Sequence, residues 1–170
     1  MNTSVTIEQL NPSDIVGIKM DSNRILSMTY NYPILNEDVD YEVALYALDQ
    51  IRKLEEKNGK CLGHFVDITQ YRRLDCVQFF GITIPSPKAR GLESEFYKDS
   101  IFDRVAIFRK DPFHMIGICE KMLNLANRKE LKLFNNREEA LKWLEEGVRV
   151  HLSKLGRKSE VDKDDASKKK

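Results

Sequence analysis

Residues 66–76 contain the side chains with the clearest capacity for chemistry in this sequence. Asp67 closes an apolar run, Asp75 follows a polar loop, and Cys76 stands at the predicted start of an apolar helix. A helix N-terminus stabilises a thiolate and lowers the pKa of a cysteine. A nucleophilic Cys76 would need a base beside it, and no histidine lies close to it in the sequence. We therefore interpret Asp75 as a helix cap and Cys76 as a small, partly buried residue.

The composition argues against several classes of function. Lys and Arg total 28 against 27 for Asp and Glu, and this balance gives no electrostatic argument for binding a nucleic acid. The three cysteines and three histidines are scattered and match no ligand spacing, so we expect no metal and no cofactor. The chain opens without the apolar core of a signal peptide, and no run approaches the roughly 18 apolar residues of a transmembrane helix. We expect a cytoplasmic protein.

The spacing of the apolar residues predicts alternating strands and helices. The predicted strands are 14–20, 24–30, 61–66, 104–108 and 131–134. The predicted helices are 36–58, 75–82, 113–126 and 136–156. Residues 85–100 are expected to form a polar insertion with one helical turn around Leu92–Tyr97.

The order of these elements is β-β-α-β-α-β-α-β-α, which indicates an α/β fold. Helices that link successive strands predict a mostly parallel sheet of four to five strands. We expect one domain at 12–155, preceded by a flexible N-terminus at 1–11. The highly charged segment 156–170 has almost no large apolar residues and is predicted to be disordered.

Three side chains can be placed relative to this core. His64 lies inside a predicted strand, so we expect a core or edge histidine that a hydrogen bond holds in place. Helical spacing predicts that Leu144 is deeply buried and that Trp143 packs at least partly against the domain.

The order of elements and the segment Leu131–Glu146 (LKLFNNREEALKWLEE) resemble a known family. The chain is similar to the STAS domain, the fold of bacterial anti-sigma-factor antagonists. It is more similar to the divergent STAS/SEC14 branch, which is related to CRAL-TRIO-like folds. The resemblance covers roughly residues 12–152.

The resemblance also implies which part of the antagonist mechanism is missing. In the antagonists an apolar-Asp pair ends a strand, and Asp-Ser-Ser-Gly later opens a helix whose second Ser is phosphorylated. Val66-Asp67 and Asp75 match this pattern, whereas Cys76-Val77-Gln78 stands where the antagonists have Ser-Ser-Gly. The scaffold is therefore expected without the phosphorylatable serine and without a kinase-driven switch.

Three interpretations of function stay open. The first is a non-catalytic regulatory or protein-interaction module, with a protein partner or a second copy of the chain. Its predicted interaction residues are Tyr71, Arg72, Arg73, Asp75, Cys76 and Gln78.

The second interpretation, implied by the CRAL-TRIO-like resemblance, is a binder of an apolar small molecule or lipid in a cavity near helix 113–126. Its predicted pocket residues are Phe79, Phe80, Met115 and Met122. The third is an enzyme, which no carboxylate pair, triad or metal cluster supports, so we expect none.

Overall fold

The computed structural model describes residues 10–75, 86–110 and 130–167, with side chains described as far as residue 155. The predicted helix 113–126 lies outside these ranges, as does all but the first residue of the predicted helix 75–82. Six candidate residues also lie outside the described residues, so their roles stay predictions: Cys76, Gln78, Phe79, Phe80, Met115 and Met122.

A five-stranded sheet forms the centre of the described residues. Its strands are β1 (Val16–Met20), β2 (Ile25–Tyr30), β3 (Gly63–Asp67), β4 (Arg104–Phe108) and β5 (Glu130–Phe134). Their order in space follows their order in the chain, with β1 antiparallel to β2 and the other neighbours parallel. The prediction of an α/β domain with a mostly parallel sheet is confirmed.

The first helix, α1 (Pro12–Ile15), corrects one predicted boundary. The strand predicted at 14–20 begins only at Val16, because the residues before it form a helical turn. Proline suits the first position of a helix, and the Asp14 carboxylate accepts a hydrogen bond from the Asn11 N–H at 2.9 Å.

Two helices cover one face of the sheet. The first, α2 (Glu37–Asn58), begins where predicted, because the Asn36 side chain accepts hydrogen bonds from the N–H groups of Asp38 and Val39. The second, α3 (Pro87–Asp99), occupies the predicted polar insertion. The expectation of a single helical turn there was wrong. Ser86 accepts a hydrogen bond from the Ala89 N–H at 3.0 Å and so caps a helix of 13 residues.

The last helix, α4 (Arg137–Ser167), covers the opposite face. Leu144 is completely buried, and Trp143 is half-buried with its ring centroid 5.5 Å from that of Phe134, so both packing predictions are confirmed. The helix continues into 156–170, and the predicted disorder of that segment in solution stays a prediction. Among the helices of the described residues, none has both the length and the apolar character that crossing a bilayer requires.

Candidate functional site

The carboxyl end of β3 leads into a loop that Asp67 organises. Its side chain accepts hydrogen bonds from the backbone N–H of Thr69, at 3.0 Å, and from the hydroxyl of Thr69. Asp67 itself is buried, with 8% of its surface exposed. Asp67 and Thr69 therefore shape the turn, and the hydroxyl of Thr69 is engaged within it.

The loop 68–75 is attached along its backbone to the segment after β2. The Ile34 N–H donates to the carbonyl of Arg72, and the Leu74 N–H donates to the carbonyl of Ile34, both at 2.8 Å. Ile34 is completely buried, so these bonds anchor the loop to the core. The loop thus has a fixed backbone although it contains no helix or extended strand.

Tyr71 is only partly exposed, whereas the sequence interpretation treated it as an exposed residue of the loop. Its ring packs edge-on against the buried Tyr30 with centroids 4.6 Å apart, and its hydroxyl donates to Asp40 at 3.2 Å. The physical reason is that the aromatic ring gains by burial while Asp40 supplies the acceptor that a buried hydroxyl needs. Burial, followed by repulsion from Asp40 and Glu93, raises the pKa of Tyr71.

The other predicted residues of the loop differ in their surroundings. Arg73 pairs with Asp75 through two hydrogen bonds of 3.0 and 3.2 Å, and these bonds lower the pKa of Asp75. Arg72 and Leu74 are exposed, and Leu74 has 48% of its surface accessible. Tyr32, 44% exposed, lines a shallow groove together with Thr69 at the same edge of the sheet. The exposed side chains here include Tyr32, Arg72 and Leu74, together with the smaller Gln70 and Asp75.

Asp40, in the first turn of α2, joins three parts of the fold. Only 3% of this residue is exposed. Besides the Tyr71 hydroxyl, its carboxylate accepts a hydrogen bond of 2.7 Å from the backbone N–H of Ser86, which caps α3. Burial raises the pKa of Asp40, and the hydrogen bonds from Ser86 and Tyr71 oppose that rise. Asp40 thereby links α2, the loop 68–75 and the start of α3.

A second polar group lies deeper under α3, where His64 of β3 is 2% exposed. Its Nδ1 lies 3.3 Å from the hydroxyl of Tyr97, which confirms that a hydrogen bond holds this core histidine. Its Nε2 is buried and has no hydrogen-bond partner among the described residues. Burial lowers the pKa of His64 to about 3, so the imidazole is neutral at physiological pH.

Glu93 of α3 belongs to the same group. It lines a cavity with His64, Tyr97 and Tyr30. The pKa of Glu93 is raised to about 7, chiefly by burial and secondly by repulsion from the Asp40 carboxylate. Two carboxyl groups close together in a poorly solvated region cannot both ionise freely. Because hydrogen bonds stabilise the charge of Asp40, Glu93 is the one that holds the proton.

The described residues offer little for catalysis. No group of three or more His, Cys, Asp or Glu side chains among them could hold a metal ion. Cys61 is completely buried, its Sγ donates to the carbonyl of Gly63 at 3.0 Å, and burial raises the pKa of its thiol to about 12. A protonated, inaccessible thiol is a poor nucleophile. The polar group under α3 can hold a proton and make hydrogen bonds, and the cavity that it lines among the described residues has a volume of about 30 Å³.

The sequence interpretation found the loop and missed the carboxylates beneath it. Of its predicted interaction residues, the structure places Arg72 on the surface, pairs Arg73 with Asp75, and buries much of Tyr71. Asp40 and Glu93 carried a usable signal. Asp40 lies three residues before Val43, and Glu93 lies four after Ala89, so each acidic side chain falls on a buried helix face.

The described elements form a single α/β domain with a mostly parallel sheet and helices on both faces. No protein-family model matches the chain, and no curated protein gives a significant match. The chain is similar to the solved structure of an uncharacterised protein of the DUF3478 family from Shewanella loihica PV-4, described as having a SpoIIAA-like fold. The two are 20% identical, the match covers 76% of this chain and 91% of that chain, and the TM-score is 0.48.

Proposed function

We propose that the protein is a non-catalytic protein-interaction module whose docking face consists of Tyr32, Arg72 and Leu74. The observation that carries this proposal is the fixed backbone of the loop 68–75. Backbone hydrogen bonds on both sides of Ile34 hold the loop, while two of its larger side chains point to solvent. The docking face lies at the carboxyl end of β3, the edge where open α/β sheets usually bind their ligands.

A loop that is already ordered loses little conformational entropy on binding. Ordering flexible side chains and loops is one of the main costs of association, so a fixed loop favours affinity. Tyr71 contributes to this order from the inside, because its hydroxyl is held by the buried Asp40. We therefore assign Tyr71 a positioning role and leave direct contact with the partner to the docking face.

The docking face suggests the chemistry of its partner. Tyrosine and arginine dominate the energetics of many protein interfaces, and Leu74 adds apolar area beside them. Asp75 is engaged with Arg73 and lowers the net charge that Arg73 presents, whereas no described residue forms an ion pair with Arg72. A protein surface with an apolar centre and an acidic rim fits this arrangement.

Affinity capture with matched variants tests the proposal. The tagged protein, the Arg72→Ala/Leu74→Ser variant and a Leu152→Ser control would be incubated with lysate of the source cell. Leu152 is 44% exposed, close to the 48% of Leu74, but it follows His151, which contacts Asp103 at the amino end of β4. Tyr71→Ala is a poor probe, because it also removes a hydrogen-bond donor from the buried Asp40.

We expect the wild type and Leu152→Ser to recover the same partner. The double variant should lose most of it, since truncating a hot-spot residue costs about 2 kcal/mol or more of binding free energy. Equal recovery by all three proteins would place the interface elsewhere. The alternative interpretation, an apolar ligand near helix 113–126, stays a prediction because that helix lies outside the described residues.

A further inference from the structure

A small cavity lies between α2, α3 and the sheet. Its volume is about 30 Å³. Most of its wall is apolar, but it also includes side chains that can hydrogen-bond. These polar residues are Tyr30, His64, Glu93 and Tyr97.

The His64 ring leaves one hydrogen-bonding atom without a described partner in this wall. Nδ1 is taken up by the Tyr97 hydroxyl, whereas the buried Nε2 has no partner among the described residues. Leaving a buried donor or acceptor unpaired costs free energy, so such atoms usually contact an ordered water or a ligand. Rings of Phe96, Tyr97 and Phe102, each with its centroid 5.8 Å from that of His64, surround the imidazole with aromatic surface.

We propose that this cavity binds one water molecule, which bridges His64 Nε2 and the carboxyl group of Glu93, and that the bridge makes the attachment of α3 to the core sensitive to pH. The bound ligand is thus a small, neutral molecule that can both donate and accept hydrogen bonds. The inference concerns the packing of α3 and does not depend on the docking face.

Size and chemistry both favour water as the occupant. A site needs about 10–15 Å³ of accessible volume and two to four polar partners to hold a water molecule, and this cavity offers both. His64 can carry its proton on either ring nitrogen: if Tyr97 donates to Nδ1 the proton is on Nε2, and if Tyr97 accepts from Nδ1 then Nε2 is bare. Water serves both tautomers, because it can accept a hydrogen bond from Nε2–H or donate one to a bare Nε2.

The carboxyl group of Glu93 supplies the dependence on pH. Among the described residues, ionisable groups from each element packed around it face this carboxyl group, and the one cation in this set lies on its own helix. These groups are Asp40 from α2, Tyr30 from β2, His64 from β3, Tyr71 from the loop 68–75, and Arg90 and Tyr97 from α3. Ionised Glu93 is therefore repelled by Asp40 and poorly solvated, which weakens the contact of α3 with the core.

The direction of the effect follows from the sign of the pKa shift. The pKa of Glu93 rises from 4.5 to about 7 when α3 is packed, so the packed state favours the protonated form. This stabilisation is complete below pH 4.5 and is lost as the pH rises through about 7. Between pH 6 and pH 8 the equilibrium constant for the opening of α3 should increase about tenfold. Opening depends on pH only below the pKa of Glu93 in the packed state, so only the interval from pH 6 to about 7 contributes, and one pH unit corresponds to a factor of about ten.

Hydrogen exchange of the α3 backbone amides measures this opening, after correction for the intrinsic effect of pH on exchange. In the wild type, the protection factors of the α3 amides should fall about tenfold between pH 6 and pH 8. Glu93→Gln, which is neutral and nearly isosteric, should lose none. Glu95→Gln is the matched control, because Glu95 is an exposed acid on the same helix, and it should behave like the wild type. Equal protection of the wild type at both pH values would overturn the proposal.

A crystal structure at pH 6, at a resolution that shows ordered water, tests the occupant. We expect a water molecule within hydrogen-bond distance of His64 Nε2 and of a Glu93 carboxyl oxygen. An empty cavity, or a different molecule in it, would contradict the proposal even if the exchange of α3 depended on pH.

Discussion

The Tyr71 hydroxyl donates a hydrogen bond of 3.2 Å to the carboxylate of Asp40, a residue that lies 31 positions earlier in the chain. This contact joins the loop after β3 to the first turn of α2. The same carboxylate accepts the Ser86 N–H at 2.7 Å, so the loop 68–75 and the start of α3 share one buried acceptor. The exposed residues of the loop are thereby positioned by side chains that lie beneath the surface.

Tyr71→Phe should destabilise the protein, because it keeps the buried ring and removes only the hydrogen bond to Asp40. Hydrogen bonds to charged groups contribute about 1.5–3 kcal/mol, and we expect a loss in that range in the free energy of unfolding. Urea denaturation measures it. Tyr32→Phe is the control, since Tyr32 is 44% exposed, and it should change stability by less than about 0.5 kcal/mol. If Tyr71→Phe leaves the free energy of unfolding unchanged, the contact with Asp40 does not hold the loop.

Leu144→Ala should cost about 2–5 kcal/mol, the usual range for truncating a buried leucine. Leu144 is completely buried between α4 and the sheet, where its Cδ2 lies 3.6 Å from the position that a Cβ would take on Gly63. Leu152→Ala, on the same helix but exposed, should change the free energy of unfolding by about 0.5 kcal/mol or less. Similar losses for the two variants would show that α4 presents a different face to the sheet.

Gly147→Ala should separate Arg104 from Trp143. The Arg104 guanidinium lies 4.8 Å from the Trp143 ring centre and donates to the Trp143 carbonyl at 2.8 Å. A Cβ on Gly147 would come within 2.5 Å of the Arg104 side chain, so that side chain must move. Trp143 is the single tryptophan of the chain, and its fluorescence reports the change directly. An emission spectrum identical to that of the wild type would show that Arg104 keeps its place.

Residues 156–170 are predicted to be disordered in solution, because they contain almost no apolar groups that could repay the entropy of ordering. We expect low heteronuclear NOE values for these residues and high values for 137–150 of the same helix. Deletion of 156–170 should leave the free energy of unfolding within about 0.5 kcal/mol of the full chain. High NOE values up to residue 167 would instead mean that the helix persists in solution.

Most of the fold could be predicted because its signals are local. The side chain of Asn36 caps α2, and Gly59 ends that helix with φ of 84°, a conformation that glycine adopts without strain. Both residues are visible in the sequence without any tertiary information. The helix α3 was missed, although Ser86 and Pro87 give a local start signal, because the segment after them is mostly polar. Its interior holds Gly91, and much of its stability comes from packing Phe96 and Tyr97 on the core.

The candidate site could be predicted only in part, because its contacts join distant segments. The exposure of Arg72 follows from its place in a polar loop, but the burial of Tyr71 depends on Asp40 and Tyr30. In the sequence, Asp40 resembles an acid that stabilises the start of a helix, which is its usual role there. Its spacing from Val43 places it on the buried face of α2, but only the packing of α3 over α2 shows that its carboxylate is shared by Tyr71 and Ser86.

Site-specific photo-crosslinking at position 74 tests the docking face most directly. A benzophenone amino acid would replace Leu74 in one protein and the similarly exposed Leu152 in a second, and both would be irradiated in lysate of the source cell. We expect a discrete crosslinked protein partner from position 74, none from position 152, and loss of the product when Arg72→Ala is added. The same products from both positions, or an undiminished product in the Arg72→Ala background, would contradict the proposed docking face.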